Sequence, residues 1–194
     1  MIQFMTLPIQ PDKRSAILQA AIAQFMAYGF SRVTMDDIAQ AAGMSRPALY
    51  QFFRNKQDIY EAGATAMLDQ SLDVMRDALA RPGTVSERIG MAIREGILDM
   101  MAQMEATPHG AELIDMKSGL SAGWLDGWKA RKVALLAPVY DEAGARAPLD
   151  GAVLATQLSD WLEGMKMRVK AKKDREDALE RFLAMQMAAL TRTR

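Results

Sequence analysis

The sequence predicts an all-α protein. Nowhere does it alternate apolar and polar residues with the period of two that a half-buried strand needs. Apolar stripes at i, i+3, i+4 and i+7 instead recur from end to end, bracketed by helix start and stop signals. These signals divide the chain into a small N-terminal head of three helices, residues 1–56, and a larger helical body, residues 57–194.

In the head, Leu18, Ala21, Ile22 and Phe25 form the first stripe, which stops at Tyr28-Gly29, where glycine suits a left-handed cap. Thr34 followed by Asp37 reads as a capping box opening a short helix that buries Ile38 and Ala42. Ser45 caps the next short helix, and Asn55-Lys56 ends it and begins a long one with Ile59, Leu68, Leu72, Met75 and Leu79 inward. Arg81-Pro82-Gly83 is a turn, and Thr84 with Glu87 is a second capping box, ahead of Ile89, Ile93, Ile97, Met100, Met101 and Met104. Thr107-Pro108 predicts a further helix start, because proline is tolerated in the first turn. Residues 119–143 form a helix that Pro138 should kink or split, and 144–148 form a loop. Two long stripes close the chain. Leu154, Leu158, Trp161, Leu162, Met165 and Val169 make the first; Leu179, Phe182, Leu183, Met187 and Leu190 make the second. Lys170, Lys172 and Lys173 are expected to complement the C-terminal dipole of the first helix, and Asp174 to cap the second.

Composition narrows the chemistry. With no cysteine and a single histidine among 194 residues, there is no thiol nucleophile, no His-based triad and no His- or Cys-rich metal site. No glycine-rich phosphate loop occurs, so neither an enzyme nor a cofactor is expected. No apolar run approaches the roughly 18 residues of a membrane span. The first residues lack the basic-then-apolar order of a signal peptide, so a cytoplasmic protein without membrane association is expected. The formal net charge is zero but unevenly spread. Residues 1–56 carry six Lys/Arg against three acids, leaving a head of +3 on a body of −3. A basic head on an acidic body points to a polyanion as the partner of the head alone.

Residues 34–56 carry the informative chemistry. Two capped short helices joined by Ala42-Gly43-Met44, with the small Ala39 four residues before Gly43, follow helix-turn-helix grammar. In the second short helix Leu49 and Phe53 face inward with Phe52 beside them, leaving Arg46, Pro47, Tyr50 and Gln51 outward. An arginine at the start of such a helix can pair with guanine in two hydrogen bonds, and a glutamine can read adenine or bond a phosphate. The Tyr50 hydroxyl and the Lys56 ammonium suit phosphate oxygens, and the Pro47 ring can touch a thymine methyl.

As a set, these elements resemble the TetR family of transcriptional regulators over residues from about Lys13 to Ile59. The matching features are the Gly29-Phe30 exit of the first helix, Thr34 to Ala39, Ala42 to Ser45, and Leu49 to Phe53 with Asn55-Lys56. The resemblance implies a DNA-binding head followed by a helical ligand-binding and dimerisation domain. It implies DNA contacts at Thr34, the helix-opening Ser45, Arg46 and Pro47, then Tyr50 and Lys56. Ala48 and Phe52 stand where more polar residues are frequent in the family, so base reading leans on Arg46 and Gln51.

The same resemblance implies a homodimer through the last two helices, which fits an apolar hairpin richer than one bundle face requires. Leu154, Leu158, Trp161, Leu162, Met165, Leu179, Phe182 and Leu183 are the expected seam. It also implies a small-molecule effector held in the body, with the helix from Ile59 to Leu79 coupling it to the head. Sixteen methionines are many, and flexible thioethers suit adaptable cavities. Met100, Met101, Met104, His109, Trp124 and Trp128 are therefore the candidate ligand contacts, the two tryptophans lying four apart on one helix face. The expected function is a repressor that binds a double-stranded, pseudo-palindromic operator and is released by a largely apolar effector. A helical protein-interaction module without sequence-specific DNA binding is the alternative.

Overall fold

The computed structural model describes residues 12–116 and 122–192, and among them every regular element is helical. Helices α1 (Lys13–Tyr28), α2 (Met35–Ala41) and α3 (Arg46–Tyr50) form the head, and α4 (Lys56–Leu79) leaves it. Next come α5 (Val85–Ile93), a π-helical turn (Arg94–Leu98), α6 (Asp99–Glu105) and α7 (Gly110–Met116). Helices α8 (Ala122–Glu142), α9 (Gly151–Arg168) and α10 (Lys172–Arg192) complete the chain.

The caps of α2, α3 and α5 fall where the sequence puts them. Thr34 Oγ1 accepts from the Asp37 amide at 3.2 Å, while Asp37 Oδ2 accepts from the Thr34 amide at 2.8 Å. Thr84 and Glu87 repeat that reciprocal arrangement at α5. Ser45 Oγ accepts from the Ala48 amide at 3.4 Å, and Pro47 lies in the first turn of α3, where a missing N–H leaves no gap in the helix ladder. Hydrogen bonds from Thr34 hold the Asp37 carboxyl below its ordinary range. Gly43 makes the turn between α2 and α3 with φ +66, a conformation that a side chain disfavours.

Four expectations differ. Pro138 does not end α8, which continues to Glu142; burial of Leu136, Val139 and Tyr140 around it offsets the one lost backbone bond. Thr107-Pro108 does not open α7, which starts at Gly110 after Thr107 Oγ1 has donated to the Met104 carbonyl. Lys172 and Lys173 belong to α10 rather than to the end of α9, and Lys172 Nζ pairs with Asp99 Oδ1 at 2.7 Å. Asp174 consequently lies inside the first turn of α10 instead of capping it. Residues 119–121 of the expected α8 segment lie outside the described residues.

The chain forms two compact units from interleaved stretches. One comprises Met1–Gln70 and Met100–Ala122; the other comprises Ser71–Asp99 and Gly123–Arg194. The expected boundary after residue 56 thus falls inside the first unit, which joins the α6–α7 corner to the head. In that unit the His109 amide donates to the Met26 carbonyl at 3.0 Å, and the buried Tyr60 hydroxyl donates to the Leu113 carbonyl at 2.9 Å. Burial pushes the Tyr60 phenol up to about 12, so it stays a donor across the physiological range. The first unit is centred on Ile17, Leu18, Ala21, Phe25, Ile38, Leu49 and Ile59, all buried.

The α6–α7 corner depends on Gly110. A Cβ there would stand 1.8 Å from the Met104 carbonyl oxygen and 2.4 Å from its carbon, which are backbone atoms that cannot swing aside. Gly110→Ala should therefore destabilise the chain by about 1–3 kcal/mol or more through overpacking. A thermal melt should fall by roughly 2–4 °C for each kcal/mol lost in a chain of this size. A wild-type melting temperature would show that the corner relaxes freely.

Candidate nucleic-acid interface

The outward face of α3 is built by burying the opposite one. Leu49 is fully buried and Phe53 nearly so, with the Arg14 guanidinium 4.5 Å above the Phe53 ring. Phe52 is only half-buried. Ala39 of α2 is buried as well, as a close crossing of the two short helices demands. With that side fixed, Arg46, Pro47, Tyr50 and Gln51 all face solvent. Thr34 and Ser45, the two capping residues, are exposed beside them.

Arg46 is not free in this arrangement. Its Nη1 pairs with Asp36 Oδ2 of α2 at 3.0 Å, and its Nη2 donates to the Tyr50 hydroxyl at 3.4 Å. The guanidinium carbon lies 5.6 Å from the Tyr50 ring centroid. The Tyr50 hydrogen bond, and then the Asp36 charge, raise the arginine's affinity for its proton. Asp36 is a residue that sequence reasoning passed over. Ten positions separate it from Arg46, and no local spacing rule links them. Its carboxylate orients the guanidinium and also sets a negative charge on a face suited to a polyanion.

Lys56 is the first residue of α4. Its ammonium donates to the carbonyls of Phe30 (2.7 Å), Ser31 (3.1 Å) and Val33 (3.0 Å) and lies 4.6 Å from the Phe30 ring centroid. An ammonium has three N–H groups. All three are directed at the protein's own backbone, so no donor remains for a phosphate in this state.

A short α3 that opens on an outward Arg46 and Pro47, with Tyr50 and the C-capping Gln51 outward at its end, suits a recognition helix. The sequence family described as bacterial regulatory proteins, tetR family, matches residues 17–62. Over 146 residues the chain is 31% identical to the HTH-type transcriptional regulator RutR of Escherichia coli K12, spanning 66% of this chain and 68% of that one. The chain belongs to the TetR family. Another relative, the HTH-type transcriptional repressor Rv1474c of Mycobacterium tuberculosis, is 27% identical over 176 residues, 84% of each chain. In fold, the chain is similar to a TetR/AcrR-family regulator from Thermobifida fusca, with a TM-score of 0.68 at 20% identity over 89% of this chain and 96% of that one. As a TetR-family protein it is a transcriptional regulator with an N-terminal helix-turn-helix and a C-terminal helical domain.

Two other sets of expected TetR-type contacts fall as follows. In the first unit Met101 and Met104 are buried and Met100 is half-buried on α6. The same helix holds Gln103 Oε1 buried without a hydrogen-bond partner among the described residues. His109 turns towards the head: its Nδ1 is 3.3 Å from Glu112 Oε2, and it packs against Gly29 at the exit of α1. In the second unit Trp128 is buried with the Lys132 ammonium 4.6 Å from its ring centroid, and Trp124 is half-buried.

The seam residues need correction. Leu154, Leu158, Leu162, Met165, Leu179 and Leu183 have relative exposures of 0–2% within one chain, so they fill its own core and offer nothing to a second copy. Trp161 and Phe182 remain half-buried, stacked with ring centroids 4.5 Å apart. The large apolar side chains that α9 and α10 expose among the described residues are Val153, Met167 and Met185, the last two 78% and 60% exposed.

Proposed function

We propose that this regulator is a homodimeric repressor that binds a pseudo-palindromic operator through α3 and is released by a small, largely apolar effector. The observation that carries the reading is the outward Arg46–Tyr50–Gln51 face of α3, placed by the burial of Leu49 at its back. Arg46 opens the helix, where side chains of a recognition helix meet base edges, and Thr34, Ser45 and Pro47 stand ready for backbone or methyl contacts. Dimerisation through the outer faces of α9 and α10 would repeat α3 on successive major-groove faces, about 34 Å apart or a multiple of it. Sulphur-rich α6 suits an apolar effector, and the Gln103 oxygen offers it one hydrogen-bond acceptor.

The test is electrophoretic mobility shift with duplexes carrying inverted repeats from the DNA flanking this gene, run against scrambled duplexes over a salt series. Operator binding at least about 10³ tighter than binding to scrambled DNA is the expected outcome. Equal affinity for both would remove the operator reading and leave the interaction module. Release from a bound operator by apolar compounds, and not by polar ones of similar size, would follow if the effector is as described.

A further inference from the structure

We propose that Asp36 is a positioning residue for base reading: its carboxylate holds the Arg46 guanidinium ready for one base and puts DNA lacking that base at a disadvantage. The inference rests on the operator reading for its effect on DNA, while the ion pair itself is testable without DNA. Asp36 and Asp37 stand side by side in the first turn of α2, and the cap uses only one of them. Asp37 Oδ2 accepts from the Thr34 amide and hydroxyl at 2.8 and 2.7 Å. Asp36 reaches instead to the first residue of α3, its Oδ2 pairing with Arg46 Nη1 at 3.0 Å. The backbones beneath are fixed. Ile38 and Ala39 of α2 and Leu49 of α3 are buried, and the Met44 amide donates to the Ala39 carbonyl at 2.9 Å.

Stability does not account for this pair. The Arg46 and Asp36 side chains are 55% and 62% exposed, and an ion pair so well solvated adds little to folding. A carboxylate on a face that meets a polyanion also opposes DNA binding in general. Discrimination does account for it. A guanidinium has five N–H groups. Asp36 takes one on Nη1 and the Tyr50 hydroxyl one on Nη2, leaving three, enough for the two-bond pairing with guanine. An arginine already held gives up less side-chain freedom when it meets its base. It is also drawn less to a nearby phosphate, a contact that carries no sequence information. On the right base the aimed arginine offsets the repulsion between Asp36 and the phosphates; on other sequences the repulsion stands alone.

The test compares full-length wild type, Asp36→Asn, Arg46→Ala and the double variant at one salt concentration. The probes are an inverted-repeat duplex from the DNA flanking this gene, its single-base variants and a scrambled duplex. Asp36→Asn should bind scrambled DNA about two- to fivefold tighter as the repulsion is lost. It should also lose about fivefold or more of the base preference that Arg46→Ala erases. In the Arg46→Ala background, Asp36→Asn should change base preference at no position. A preference unchanged by Asp36→Asn alone would overturn the proposal. So would a preference lost in the Arg46→Ala background, because Asp36 would then read a base itself. In DNA-free protein, NMR of the arginine side-chain N–H groups should show slow rotation of the Arg46 guanidinium in wild type and faster rotation in Asp36→Asn. Equal rotation in the two would remove the ion pair and the proposal with it. Wild-type protein that binds operator and scrambled DNA alike would remove the operator reading, and slow Arg46 rotation in that protein would show the ion pair intact.

Discussion

Leu158→Asp should leave the protein unfolded, whereas Phe182→Glu should leave it folded but monomeric. Leu158 is fully buried in the second unit, alongside Leu154, Leu162 and Leu179. Removing a core leucine costs about 2–5 kcal/mol, and putting an unpaired carboxylate in its place adds its desolvation. That sum approaches the roughly 5–15 kcal/mol of total stability a domain has. Phe182 lies half-buried against Trp161, and the stacked pair is worth only about 0.5–1.5 kcal/mol beyond its area. A charge there can keep its hydration in a single chain but not in a closed isologous contact. Met185→Glu, on the same helix and 60% exposed, should act like Phe182→Glu. Circular dichroism reports folding, and sedimentation velocity at micromolar protein reports mass. A dimer that survives both Phe182→Glu and Met185→Glu would show that the outer faces of α9 and α10 are not the seam, and a Leu158→Asp protein melting like wild type would contradict the burial itself.

That contrast also explains how far the sequence could be read. Apolar periodicity marks the face of a helix that is buried, and Leu154 to Leu183 were visible on that basis. It does not say whether the burying surface belongs to the same chain or to a copy, because both exclude water equally. The head was legible for a different reason. Its caps, its turn glycine and its small crossing residue obey rules that act over three or four positions, and Thr34 with Asp37, Gly43 and Ala39 all take the expected places. The partners that Lys56 and Asp36 find were not legible, because they lie 23–26 and 10 positions away, distances over which only the folded chain brings groups together. Pro138 illustrates the opposite limit, since its local penalty is real but the packing of a 21-residue helix around it is larger.

Arg46→Ala should lower operator affinity by about 1–3 kcal/mol, or roughly 5- to 150-fold, and should do so by erasing preference at one base position of each half-site. Tyr50→Phe should instead weaken binding to every sequence by a similar small factor, because a phenol hydroxyl that meets a phosphate carries no base information. The structure adds a coupling between them. The Tyr50 hydroxyl accepts from Arg46 Nη2, so losing it leaves Asp36 as the remaining anchor of the guanidinium. The double variant should therefore lose less than the two single losses together, by about 0.5 kcal/mol or more, as expected for residues sharing a partner. Binding isotherms against the operator and its single-base variants at one salt concentration would measure all three effects. Additive losses would mean that Arg46 is held by Asp36 alone when it reads DNA. Arg46→Ala protein that binds every single-base variant as wild type does would place the sequence reading elsewhere, leaving Gln51 as the remaining outward side chain of this stretch able to read a base edge.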